Sequence, residues 1–285
     1  MRSAAPAACD CHVHVFDPAR FPYAAQRAYT PAAATVEDLQ ALHARMGMAR
    51  TVLVQPSVYG TDNSCLLAAL HQLGLGRARG IAVVDPATVS DLELWDLHEA
   101  GVRGIRLNLH VQGRGMGAAK QQLAGARRVL KMPGWSLQVH ACLDVVTCLL
   151  DDMQRLEKPV VLDHYAGGLA PEPDSDVALG RLLAAMRNAP LYVKLSAPYR
   201  LWPGQPVQDL ARTFYGAGPD RVLWGSDWPH TGGSGGSGRT PGTLEPFRAV
   251  DNQEVLQTLL GCLPDAAARH RLLVDNPAAL YGFDR

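Results

Sequence analysis

Residues 136–164 read SLQVHACLDVVTCLLDDMQRLEKPVVLDH, and the fold follows from how that stretch divides. Ser136–His140 and Val160–His164 are short runs rich in aliphatic and β-branched residues, each ending on a histidine. The piece between them places Val145, Leu149, Leu150 and Met153 at three- and four-residue spacing, the period of a helix with one apolar face. Asp144 stands where the N-cap of that helix is expected, as Asp176 does for a later one. Strand, helix and strand in that order form a unit of two parallel strands joined by a helical crossover. Outward from it the unit repeats. Further strands are expected at Cys9–Phe16, Thr51–Pro56, Arg79–Asp85, Gly104–Leu109, Leu191–Ser196 and Val222–Asp227. Helices are expected over Val36–Met48, Cys65–Leu75, Asp91–Ala100, Gln121–Leu130, Val145–Leu156, Val177–Arg187 and Val207–Tyr215. Eight strands, nearly continuous in apolar residues and alternating with helices, predict an α/β fold, a single (β/α)8 TIM barrel over residues 1–285. An open doubly wound sheet is the rival, but the Gly-rich phosphate loop that would follow its first strand is missing.

Composition narrows the function. The 27 Lys+Arg residues match 27 Asp+Glu, which leaves no cationic surplus for nucleic acid. A hydrophobic content of 47% with 19% charged residues describes a folded chain rather than a disordered one. No apolar run reaches the ~18 residues that would span a bilayer, and no apolar h-region follows Met1, so a cytoplasmic protein is expected. The six cysteines are scattered, as reduced thiols are. Oligomeric state leaves no mark in the sequence. Two loops fall outside the repeat: 17–31 after the first strand, and the Gly/Ser-rich 231–242 after the last. Both follow strand C-termini, where barrel active sites are assembled, and the second is read as a lid or a neutral insertion.

Polar residues end several strands. His12 and His14 share one face of the first, His140 ends the fifth, His164 the sixth and Asp227 the eighth. Such nitrogen and oxygen donors at one barrel mouth suit either general acid–base work or a single divalent ion such as Zn²⁺ held by His12, His14, His140 and Asp227. Arg106 lies inside an apolar strand, where an unpaired guanidinium would cost several kcal/mol. It must meet an anion, from the protein or from a substrate, and Asn108 and His110 share its face. Tyr29, Ser57 and Tyr59 carry hydroxyls that can orient a polar ligand. Arg114 and Arg200 are candidate partners for a second carboxylate. His43, His71, His98 and His270 are expected to be ordinary surface or interfacial residues.

CDCHVH (residues 9–14), WGSDWPH (224–230) and the C-terminal DNPAALYGF resemble the amidohydrolase-2 group of the amidohydrolase superfamily. AYTP (28–31), QPSVYGTDN (55–63), GIRLN and LDH (162–164) are similar to the branch of 2-pyrone-4,6-dicarboxylate lactonase and related sugar-acid lactonases. The resemblance implies a deformed barrel, catalytic positions at His12, His14, His140, His164 and Asp227, and Tyr, Ser and Arg side chains that hold an acidic lactone. GIRLNLH lacks the bridging lysine or glutamate of dinuclear members. In the dicarboxylate lactonase the aspartate works without a required metal, whereas other branches need one. The expectation is thus a hydrolase opening a carboxylate-bearing lactone, with Asp227 as general base, His12, His14 and His164 polarising the carbonyl, and no required cofactor. A metal-dependent decarboxylase or hydratase of an unsaturated acid, and a catalytically silent acid-binding barrel, are the alternatives.

Overall fold

A computed structural model describes residues 8–109, 115–168, 174–232 and 240–284. Eight parallel strands form one sheet: β1 Cys9–Val13, β2 Arg50–Val54, β3 Ala78–Ala82, β4 Val102–Asn108, β5 Ser136–His140, β6 Val160–Leu162, β7 Leu191–Ser196 and β8 Val222–Gly225. They pair in sequence order, and the seam closes where His14 N–H donates to Trp228 O at 2.8 Å and Asp227 N–H to His12 O at 2.9 Å. Every expected strand is present, so the barrel is the fold.

Gly225 makes the closure possible. A Cβ there would stand 2.6 Å from His12 Cβ and 2.9 Å from its amide nitrogen, so only glycine lets β8 lie this close to β1. Asp10 pins the same seam. Its Oδ1 accepts from the backbone N–H of Ser226 (2.9 Å) and of His12 (3.3 Å), while its Oδ2 meets His43 Nε2 at 3.3 Å. His43, expected to be an ordinary surface or interfacial residue, is therefore a buried partner of β1.

The helices α1 Val36–Met46, α2 Ser64–Leu73, α3 Asp91–Glu99 and α4 Met116–Val129 follow the first four strands. Capping boxes start two of them, Thr35 with Asp38 and Ser90 with Glu93. The helix expected over Val145–Leu156 is two, α5 Leu143–Cys148 and α6 Leu150–Gln154. Leu149 breaks it at φ −101°, ψ 0°, and Thr147 Oγ1 donates back to Leu143 O at 2.6 Å. Asp144 lies inside α5, which Cys142 caps, and Asp176 lies inside α7 Ser175–Asn188, so neither is the N-cap expected. After α8 Val207–Ala217 and β8 come three helices with no counterpart in the sequence reading: α9 Asn252–Gly261, α10 Ala266–His270 and, through one π-helical turn, α11 Asn276–Tyr281. Tyr281 and Phe283 pack with Cys9, Cys11, Val52, Ile81, Val161 and Leu223, which plugs the N-terminal end of the barrel and leaves the other end for chemistry. Among the described residues no helix is long and apolar enough to cross a membrane.

The two extra loops meet. Thr30–Pro31 pairs in parallel with Leu244–Glu245, and Arg27 donates to Pro241 O at 3.1 Å. Residues 233–239 of the second loop, together with His110 and Arg114, lie outside the described residues.

Candidate active site

Six of the seven non-glycine residues with positive φ among the described residues sit at the barrel mouth. They are His164, Tyr165 and Ala166 after β6, Ala197 after β7, and Asp227 and His230 after β8. Each such residue costs ~1–3 kcal/mol and persists only where surrounding contacts over-determine it. On β1 the pairing register shifts between Asp10 and Val13. Asp10 bonds to His43 of α1 on the outside, whereas His12, two residues on, meets Asp163 and Lys194 inside the barrel. A bulge has turned both histidines inward, against the alternation that Asp10 would set.

Two polar layers result. In the upper one, Asp227 Oδ2 takes a hydrogen bond from Tyr199 Oη at 2.7 Å and from Arg200 Nε at 2.6 Å. Its Oδ1 accepts no hydrogen bond and faces three ring nitrogens: His12 Nε2 and His14 Nε2 at 3.6 Å each, and His164 Nε2 at 3.7 Å. Burial alone would raise the Asp227 pKa, but Arg200, then His164, His14 and His12, hold it well below the usual carboxylate range. His14 Nδ1 lies 2.8 Å from Val54 O, an acceptor only, so Nδ1 carries a proton and Nε2 is the nitrogen turned toward Asp227. His164 Nδ1 pairs with Ser196 Oγ at 2.9 Å, and burial keeps this imidazole uncharged by pushing its pKa well down.

The lower layer is closed to solvent. Asp163 Oδ2 accepts from Gln138 Nε2 at 3.2 Å and faces Arg106 Nε at 3.5 Å; Oδ1 faces His12 Nδ1 at 3.3 Å and Lys194 Nζ at 3.7 Å. Lys194, fully buried, donates to Gln138 Oε1 at 2.7 Å. Burial pushes His12 down to about 3, Asp163 opposing and Lys194 adding to the shift, so His12 is neutral. Gln138, Asp163 and Lys194 escaped the sequence reading. The signal was present, since each breaks an apolar strand as Arg106 does (SLQVH, VVLDH, LYVKLS).

Above both layers opens a narrow cleft with a cavity volume of ≈ 40 Å³. His14, His140, His164 and Asp227 line its floor side, and Tyr29, Ser57, Arg106, Asn108 and Arg200 also line it. His12 lies fully buried beneath. Tyr59 does not line the cleft; its hydroxyl accepts from Asp17 N–H at 2.9 Å and holds the first loop. Arg200, expected at a substrate carboxylate, spends its Nε on Asp227. Ligand atoms of His12, His14 and Asp227, and separately of His12, Asp163 and His164, come within 4.8 Å of one another. Neither set contains His140, whose ring stands edge-on to His164 at 5.3 Å. The bare Oδ1 of Asp227 among inward Nε2 atoms, with the Nδ1 sides of His14 and His12 facing a carbonyl and a carboxylate, is a donor set that fits one borderline divalent ion.

The amidohydrolase family matches residues 9–283. A 4-sulfomuconolactone hydrolase of Rhizobium radiobacter is 35% identical, covering 96% of this chain and 90% of its own. A 2-pyrone-4,6-dicarboxylate hydrolase of Comamonas testosteroni is 33% identical over the same shares. A solved structure from Acinetobacter baumannii, provisionally assigned as a 2-pyrone-4,6-dicarboxylic acid hydrolase and holding citric acid, superposes with a TM-score of 0.78 at 25% identity, covering 97% of this chain and 99% of its own.

Proposed function

The chain belongs to the amidohydrolase family, and from that premise we propose that its cleft hydrolyses a lactone bearing a carboxylate or similar acid group. One observation carries the reading: the unbonded Oδ1 of Asp227 opens on the same small cleft as the Arg106 guanidinium. A base and an anion anchor sit within one ligand's length. The lactone and sulfonated-lactone substrates named for the two curated relatives, and the citric acid in the solved one, all carry acid groups.

In this mechanism the acid group lies on Arg106, with Asn108, Ser57 and Tyr29 orienting the ring. His164, with Ser196 on Nδ1, turns an Nε2–H toward the lactone carbonyl and strengthens that bond as the oxygen gains charge. Water attacks the carbonyl carbon while Asp227 Oδ1 takes its proton; the same proton then passes to the ring oxygen as the C–O bond breaks, leaving an open hydroxy acid. A carboxylate held this far down is ionised throughout the working pH range but weakly basic, so position rather than basicity is its contribution. Should a divalent ion bind, His12, His14 and Asp227 would hold it, and it would supply Lewis-acid polarisation and a more acidic water. His12 and His14 would then meet it through Nε2, their Nδ1 protons on Asp163 and Val54.

The test is a panel of lactones with and without an acid group, assayed before and after chelation, alongside elemental analysis. Turnover confined to acid-bearing lactones is expected. Turnover of open-chain unsaturated acids alone would sink the reading. Loss of activity on chelation, restored by Zn²⁺, would assign His12, His14 and Asp227 to a metal.

A further inference from the structure

Tyr199 Oη lies 2.7 Å from Asp227 Oδ2 and 3.0 Å from His230 Nδ1. A hydroxyl has one proton to donate, and a carboxylate can only accept. The Tyr199 proton therefore goes to Asp227, and the tyrosine oxygen is left as an acceptor. His230 must then carry its proton on Nδ1 and donate it to Tyr199. The other tautomer would set two lone pairs against a single O–H. His230 Nε2, buried and closing no hydrogen bond, is the nitrogen left bare, and the Asn252 side chain, which also approaches this ring, can turn its amide N–H toward it.

We propose that Tyr199 and His230 are positioning residues for the base, forming a one-way chain from His230 Nδ1–H to Tyr199 O–H to Asp227 Oδ2. With Arg200 on the same oxygen, the chain saturates Oδ2 and aims the remaining lone pairs, all on Oδ1, at the cleft. Neither Tyr199 nor His230 lines that cleft, so neither is placed to hold substrate. The ring of Tyr199 stands against two guanidinium groups, Arg200 at 5.5 Å and Arg248 at 5.6 Å, which help to hold the ring in place. Asp227 and His230 both adopt positive φ at the two ends of one turn, where His230 N–H donates to Asp227 O at 2.9 Å. Tyr199 thus ties both strained residues to the loop after β7.

The inference rests on Asp227 acting as base, and its test has one arm that needs no substrate. In enzyme labelled with ¹⁵N-histidine, the resonances absent from His230→Asn belong to His230. They should show a protonated Nδ1 and a bare Nε2, and a protonated Nε2 overturns the chain whatever the substrate proves to be. In the kinetic arm Tyr199→Phe should lower kcat by about 10- to 100-fold, the worth of one hydrogen bond to a charged group, with KM little changed. His230→Leu should fall comparably. His230→Asn should stay near wild type, because its amide N–H stands where Nδ1–H stood. Equal losses in His230→Asn and His230→Leu would reduce His230 to packing. A Tyr199→Phe variant with intact kcat and raised KM would make Tyr199 a substrate contact. A wild type inert on every lactone defeats the functional reading and leaves the tautomer result to stand by itself.

Discussion

Asp163 and Asp227 are both buried carboxylates, and His12 lies between them, Nδ1 toward one and Nε2 toward the other. Their surroundings differ in access to the cleft. Asp163 meets Gln138, Lys194, Arg106 and His12, and the group is sealed. Asp227 has two donors on one oxygen and none on the other, and that oxygen opens on the cleft. Burial raises the energy of any carboxylate, and cations on both sides reverse the effect. Each carboxylate keeps one oxygen without a hydrogen bond; what separates the structural one from the reactive one here is that only Asp227 reaches the cleft.

The contrast is most exposed at Asp227→Asn. The amide keeps the shape but cannot take a proton, so kcat should fall by at least ~10²–10⁴-fold while an unchanged circular-dichroism spectrum shows the barrel kept. Asp163→Ala should do the reverse: with Lys194 and Arg106 left buried and unpaired, denaturant unfolding should report a loss of about 3–5 kcal/mol. If Asp163→Ala instead stays as stable as wild type, the lower layer is not a closed ion network.

Arg106 touches both regions, Asp163 by Nε and the cleft by its surface. Arg106→Met should weaken binding of an acidic lactone by on the order of 2–5 kcal/mol, seen in KM, and an uncharged ester far less. Equal losses on both would return Arg106 to the structural layer. At the seam, Gly225→Ala drives a Cβ into His12, and about 1–3 kcal/mol of stability should go with it. Crystals of the variant should show His12 moved from Asp227; an unmoved His12 would mean the strands yield elsewhere.

The gentlest effect is that of pH. Asp163 and Asp227 have folded pKa values below their unfolded ones, so the stability they lend is complete above the unfolded carboxyl value of about 3.9 and is lost as pH falls through the folded values. His12 is pushed down to about 3 from 6.5, so between those values the unfolded chain binds the extra proton. Both act in one direction. Stability should decline mildly as pH drops below about 6.5 and steeply below about 4; unfolding curves that show a gain on acidification would contradict the assignment.

Much of the barrel was legible because each strand carries its own evidence in a short run rich in aliphatic residues. The helices after β8 were not, since the sequence reading ended the repeat at the last strand. The break at Leu149 was hidden because Thr147 satisfies a carbonyl locally without disturbing the apolar spacing. At the site, Tyr29, Ser57, Arg106, Asn108, His140, His164 and Asp227 reach one cleft because strand ends in a barrel share a mouth. Arg200 reached it too, but in the service of Asp227.

By itself the sequence determined the strand and helix periods, the polar residues at the strand ends and the need of Arg106 for an anion, all properties of short stretches of chain. Only the tertiary structure decided that a bulge turns His12 inward, that Asp163 rather than a ligand faces Arg106 Nε, that His14 spends its Nδ1 proton on Val54, and that one oxygen of Asp227 remains free. Those outcomes depend on partners up to more than two hundred residues apart, brought within hydrogen-bonding distance by barrel closure, and periodicity along one strand carries no information about what stands across from it.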